Sequence, residues 1–353
     1  MHFDSDYMNI CHPHILQRMA DTQSRSYTGY GLDELCKSAK EKIRRFCQCP
    51  EAEVFFLAGG TQTNMVVIDA LLRSFEGVLA ADTAHISVHE SGAIEFTGHK
   101  VLPLAPDNGK ISARQVDQYV TGYYSDPNWE HIVPPGMVYI THPTEYGTIY
   151  SLSELEALSA VCRKHNIPLY IDGARMGYGL AAEGTDVSLA DIARLADAFY
   201  IGGTKCGAMY GEAVVFPNPK RADRFFSHIK RHGALLAKGW VAGLQFDTLF
   251  AHAADPTQEA GSIEQTLYYT ICRHAICEAM RIKQAFASKG YTLYLDSPTN
   301  QQFVEVSLEQ AAAFAKHLTY GQWEPPRDGR VTIRFATSWA TNPDDVDRLI
   351  KLL

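Results

Sequence analysis

Phe199-Tyr200-Ile201-Gly202-Gly203-Thr204-Lys205-Cys206-Gly207 is an apolar run that stops in glycines around a single lysine. A solvated surface lysine has no need of such neighbours, whereas a lysine approached closely by a planar ligand does. Upstream, Ile167-Pro168-Leu169-Tyr170-Ile171-Asp172-Gly173-Ala174-Arg175 repeats the design, with an apolar strand delivering Asp172 and Arg175 at its C-terminal end. In an open α/β sheet that is the end where ligands bind. An aspartate there can also serve merely as a helix cap.

Outward from these two stretches, the chain alternates between short apolar runs and amphipathic segments from about residue 50 to 217. The runs are Val54–Ala58, Val78–Ala80, Lys100–Leu104, Met137–Thr141, Pro168–Asp172, Ala198–Gly202 and Ala213–Phe216. Helical patterns such as Thr61–Ser74, Ser151–His165 and Ser188–Ala196 separate them. This alternation predicts an α/β large domain with a seven-stranded, mostly parallel sheet. Ser151-Leu152-Ser153-Glu154 reads as a capping box. Residues 33–49 read as an early helix, and 219–253 as mostly helical with a break near Gly233. A long helix is expected over Ser262–Ser288. Strand-like runs at Thr292–Leu295, Gln302–Val306 and Val331–Phe335, with helices at Leu308–Leu318 and Asp344–Leu352, predict a small C-terminal α+β domain. The expected division is residues 1–253 for the N-terminal segment and large domain, and 254–353 for the long helix and small domain.

Composition narrows the function classes. The 353 residues are 46% hydrophobic and 20% charged, ordinary for a globular protein, and exceed one typical core. A net charge of −8 without a basic block argues against nucleic acid. The polar, acidic start Met1–Asp6 has no signal-peptide character, and no run approaches the roughly 18 apolar residues of a membrane span. Eight cysteines form no disulfide-dense pattern, and Cys47-Gln48-Cys49 lacks zinc-site spacing, so no metal is expected. A cytoplasmic protein with reduced thiols is the expectation.

Ala58-Gly59-Gly60-Thr61-Gln62-Thr63-Asn64 lies between a strand and a helix. Gly59, Gly60 and Thr61 suit one phosphate at a helix N-terminus, or else a tight turn with a threonine cap. The motif is neither a dinucleotide fingerprint nor a P-loop. Pyridoxal 5′-phosphate (PLP) requires a phosphate cradle, a carboxylate facing its ring nitrogen, a ring stacked on its face and an anchoring lysine. Gly59–Thr61, Asp172 and the Thr204-Lys205 pair supply three of these, with Lys205 as the anchor. His89, in Ile86-Ser87-Val88-His89-Glu90, is the candidate stacked ring.

In order, Gly-Gly-Thr-Gln-Thr-Asn, His-Glu-x-Gly-Ala, Asp-Gly-Ala-Arg and Gly-Gly-Thr-Lys resemble the threonine aldolase and β-eliminating lyase family of fold-type I PLP enzymes. The resemblance runs from about Phe3 to Leu353. It implies that Ser5, Arg175 and Arg334 receive a substrate carboxylate, a role suited to the guanidinium fork. It also implies that Tyr30, in a Tyr-Gly-x-Asp loop ending at Asp33, approaches the neighbouring subunit's site in a homodimer or dimer of dimers. Lys238 stands where the family places a phosphate-binding arginine from that subunit. Glu145, in His142-Pro143-Thr144-Glu145, takes the place of a second active-site histidine. The implied activity is cleavage of a β-hydroxy-α-amino acid, of the threonine, allo-threonine or phenylserine kind, to glycine and an aldehyde. Other PLP chemistry, such as β-elimination or racemisation, and a catalytically silent binding role stay open on the residues alone.

Overall fold

The computed structural model describes all residues, Met1–Leu353. Its larger sheet contains β2 (Glu53–Leu57), β3 (Gly77–Ala81), β4 (Lys100–Leu104), β5 (Pro135–Thr141), β6 (Leu169–Asp172), β7 (Ala198–Gly202) and β8 (Glu212–Phe216). The strand order is β2-β8-β7-β6-β5-β3-β4. All pairings are parallel except those of β8, which runs antiparallel to both β2 and β7. Strands β3 and β5 to β8 are buried along their whole length. They are covered on both faces, which is why they read as continuous apolar runs rather than alternating ones.

This topology positions the site. Because β8 runs backwards, the C-terminal ends of β2, β3, β5, β6 and β7 and the first residue of β8 share one edge of the sheet. Segments following those strands therefore converge, as expected for an open parallel sheet.

A second sheet of five strands has the order β1-β11-β12-β10-β9. It is built from β1 (His2–Phe3), β9 (Thr292–Leu293), β10 (Gln301–Ser307), β11 (Thr319–Gln322) and β12 (Arg330–Ala336). The N-terminal strand thus belongs with the C-terminal sheet, pairing parallel to β11. Two apolar clusters fill the molecule, one of 67 buried residues beneath the large sheet and one of 13 beneath the small. The long helix serves both: Leu267, Ile271 and Ala275 lie in the larger cluster, Ile282 and Phe286 in the smaller.

Two sequence expectations shift. The long helix begins at Leu267 rather than Ser262, because Thr266 caps it through the Tyr269 amide and Ile263–Gln265 form a separate 3-10 turn. The segment 219–253 is two helices, Phe225–Arg231 and Trp240–Leu249, with Gly233 between them at φ +66°. The Ser151–Glu154 capping box is present with both hydrogen bonds.

Candidate active site

Loops at the shared sheet edge enclose a cavity of about 320 Å³. Its walls include Gly59, Gly60 and Thr61 after β2, His85 after β3, Thr141 ending β5 and Glu145 beyond it, Asp172 ending β6 and Arg175 beyond it, Thr204 and Lys205 after β7, and Glu212 at the start of β8. An adjoining recess of about 330 Å³ shares Tyr7, His85, Glu145, Arg175 and Lys205 with it and adds His89 after β3 and Gln301, Trp323 and Arg334 from the small-sheet side.

Asp172 is buried and tightly held. Its Oδ2 accepts from Tyr139 Oη at 2.6 Å and Asn64 Nδ2 at 2.9 Å, and its Oδ1 from the Ala174 amide at 2.9 Å. The Asn64 amide group also donates to Glu90 Oε1 at 2.8 Å, and Glu90 Oε1 accepts from His85 Nδ1 at 2.7 Å. One network therefore orients the Asp172 carboxylate and the His85 ring together. Lys205 lines the same cavity. Burial, and then the Arg175 guanidinium, push its amine below the usual lysine range. An amine made easier to deprotonate favours nucleophilic use.

Close packing, rather than a ligand, explains most of the glycines around these residues. A Cβ on Gly202 would lie 2.3 Å from the Ala174 carbonyl oxygen, and one on Gly203 2.7 Å from that of Gly211. Gly202 thus lets the β6 and β7 termini touch, which places Asp172 and Lys205 in one wall, while Gly203 admits the turn that leads into β8. Gly59 differs, for nothing lies within 4 Å of where its Cβ would sit. It caps the helix Gly60–Leu71 without a side-chain hydrogen bond, leaving amides free beside the cavity.

The recess holds two guanidiniums. Arg175 forms a bidentate pair with Asp6, Nε to Oδ2 at 2.7 Å and Nη2 to Oδ1 at 3.0 Å. Burial works to raise the Asp6 carboxyl, but Arg175 and Lys205 override it and hold the group at about 2. Arg334 donates to the Asp4 carbonyl at 2.8 Å and to Gln301 Oε1 at 3.1 Å, while its Nε is buried without a partner. Burial and the charge of Arg175 lower its affinity for its proton. Ser5 lies between the residues tied to these two arginines, and its Oγ is buried without a partner. Two guanidiniums around one recess suit a carboxylate, and Ser5 borders neither cavity.

Because the Asp6 carboxyl is held below its ordinary 3.8, its stabilising share is complete above about pH 4 and disappears as pH falls toward 2. That share is worth about 2 kcal/mol. The stability gap between wild type and Asp6→Asn, measured by denaturant unfolding, is therefore expected to narrow across that window. A gap independent of pH would refute the pairing.

Several expectations need correcting. His89 is exposed and borders only the outer recess, 5.6 Å ring to ring from His85. The ring inside the cavity is His85, the first residue of the short helix His85–Val88, braced by Glu90. Glu145 pairs with neither Arg175 nor Lys205; its Oε1 accepts from the His85 amide at 2.7 Å and its Oε2 from Thr141 Oγ1 at 2.9 Å. Tyr30 and Lys238 are both exposed and border neither cavity of their own chain, though their segments touch through the Tyr30 amide and the Ala237 carbonyl at 3.0 Å. Asp33 caps the helix Glu34–Phe46 through the Cys36 amide.

Sequence reasoning also missed Glu212. Its carboxylate accepts from Thr204 Oγ1 at 2.8 Å and the Gly203 amide at 3.1 Å, and burial raises it to about 8. An acidic residue opening the otherwise apolar strand Glu212–Phe216 was the available signal.

The family model described as beta-eliminating lyase matches residues 3–319. The chain belongs to the beta-eliminating lyase family. Within it, this lyase is 32% identical over 260 residues to the low specificity L-threonine aldolase of Pseudomonas aeruginosa, covering 71% of this chain and 73% of the relative. Among solved structures, a threonine aldolase of Leishmania major superposes with a TM-score of 0.93 at 37% identity, over 99% of this chain and 98% of that one. An aspartate aminotransferase of Thermus thermophilus, at 15% identity and a TM-score of 0.70, shares the fold alone, over 99% of this lyase and 90% of its own chain. The architecture is that of the fold-type I enzymes.

Proposed function

We propose that this lyase binds PLP in the cavity and cleaves threonine-type β-hydroxy-α-amino acids to glycine and an aldehyde. The observation that carries the reading is the meeting of Lys205 and Asp172 in one wall with Arg175 and Arg334 in the adjoining recess. Relatives named threonine aldolases support the substrate class.

The residues present fit the cofactor. The open space at Gly59, with the free amides of the helix Gly60–Leu71, suits a phosphate. When bound, PLP supplies an electron sink for the pair released from a Cα–Cβ bond. Asp172 is the carboxylate for the ring nitrogen, held ready by Tyr139, Asn64 and the Ala174 amide. His85 replaces His89 as the ring against the cofactor face. Lys205 would be the anchor, and Thr204 beside it would help to hold the cofactor. Arg175 and Arg334 receive the substrate carboxylate and so fix which bond at Cα stands ready to break. Glu145, bordering both spaces, takes the proton from the β-hydroxyl, since burial raises its carboxyl toward a useful basicity.

Arg334→Ala is expected to raise KM for L-threonine by about 10–100-fold with a much smaller effect on kcat, the loss of one charge-assisted contact to a carboxylate. An unchanged KM would remove Arg334 from substrate binding.

We further propose a homodimer or dimer of dimers, in which Tyr30 and Lys238 reach the neighbour's cavity. Both are exposed and adjacent on a surface away from their own site, and a two-fold interface would place both copies reciprocally. Lys238→Ala is expected to weaken PLP retention by about tenfold or more, as loss of a charge-assisted phosphate contact does. Light scattering that finds a fully active monomer would overturn this arrangement.

A further inference from the structure

Away from the cavity, the helix Gly60–Leu71 carries Asp69 against the helix Phe225–Arg231. His228 lies in that second helix and His232 caps it at φ −82° and ψ 6°, so the two side chains, four residues apart, share a face. Both aim at one oxygen. His228 Nδ1 is 3.1 Å and His232 Nε2 2.8 Å from Asp69 Oδ2. The three ligating atoms all lie within 4.8 Å of one another.

Hydrogen bonding alone leaves this cluster unbalanced. Asp69 Oδ2 is crowded by His228, His232 and the Arg231 Nη1 at 3.3 Å. Oδ1 instead faces His99 Nε2 at 3.7 Å, too far for a hydrogen bond. The other nitrogen of His99, Nδ1, donates to the Glu76 carbonyl at 3.0 Å, which turns Nε2 toward the carboxylate. His99 and Asp69 are both buried. Two imidazoles and a carboxylate converging in a semi-enclosed place, with a third imidazole packed against that carboxylate, are the donors that borderline divalent ions select.

We propose that Asp69, His228 and His232 form a binding site for a divalent transition-metal ion of the zinc class, with a fourth position open to water. The Arg231 side chain, 66% exposed, is free to swing into solvent when the ion arrives. The ion would clip the helix Phe225–Arg231 onto the helix whose opposite end borders the cavity. It would also steady the segment leading from His232 to Lys238. The ion is structural and independent of the reaction proposed above.

The test uses the holoenzyme after exhaustive dialysis against chelator. Zinc is restored, unbound ion is removed by gel filtration, and the metal is counted by mass spectrometry. One zinc per chain and a thermal midpoint higher by a few degrees are expected. In Asp69→Asn and His232→Asn the zinc affinity should fall by at least about tenfold. Cobalt(II) offers a readout on the unmutated chain: one equivalent should give visible d–d bands of low-symmetry nitrogen and oxygen coordination, without the near-ultraviolet thiolate band. The proposal fails if wild type retains no stoichiometric zinc, if the variants bind as wild type does, or if cobalt reports thiolate ligation, which would point to a cysteine such as the exposed Cys277.

Discussion

Lys205→Ala is expected to lower the rate of aldehyde release by at least about 10⁴-fold, the upper end of what one positioned acid–base group contributes, because this lysine also anchors the cofactor. Lys205 lines the same cavity wall as Asp172, and its amine is pushed below the ordinary lysine range by burial and by Arg175. Reduction of the wild-type holoenzyme with borohydride should fix PLP on Lys205 and bleach its yellow colour. Peptide mass spectrometry should find no such modification in the variant. Far-ultraviolet circular dichroism should be unchanged, since the Lys205 side chain contributes to no apolar cluster. Trapping of the cofactor on a different lysine, or a variant that retains substantial turnover, would refute the assignment.

Glu145→Gln is expected to reduce kcat by about 10²–10⁴-fold with KM nearly unchanged. The substitution is informative because glutamine keeps an acceptor oxygen for the His85 amide, the contact Glu145 makes at 2.7 Å. A residue that only positions His85 would tolerate it. A proton acceptor would not, since the amide has no useful basicity. Burial raises the Glu145 carboxyl, so wild-type kcat should climb with pH through an acid limb, and that limb should vanish in the variant. Wild-type turnover by Glu145→Gln would end the proposal that this side chain takes the β-hydroxyl proton.

How far the sequence could be read depended on how each element is buried. All seven large-sheet strands were legible, because those buried on both faces appear as uninterrupted apolar runs. The two-residue β1 and the polar β11, Thr319–Gln322, were not, since each lacks an apolar run and is held by its neighbours in the sheet. In the site, Asp172 and Lys205 were readable because one ends a buried strand and the other stands just beyond one. His85 and His89 were not separable by type, since both precede Glu90 in one short segment and only the helical turn at His85–Val88 decides which enters the cavity. Asp6 was overlooked for a different reason: its partner Arg175 is distant in sequence, and nothing local in an acidic N-terminus marks one carboxylate as buried. Asn64 was quoted within its motif without a role, because its role is to join Asp172 to Glu90, two residues brought together only by the sheet.

The most direct test of the account is the identity of the products. Purified protein supplied with PLP should be incubated separately with L-threonine and L-allo-threonine, and glycine, acetaldehyde, ammonia and 2-oxobutanoate measured in the same samples. Carbon–carbon cleavage at this site predicts glycine and acetaldehyde in equal amounts, lost in Lys205→Ala. Ammonia and 2-oxobutanoate without glycine would mean that the Cβ–oxygen bond breaks instead, and would contradict the proposed function.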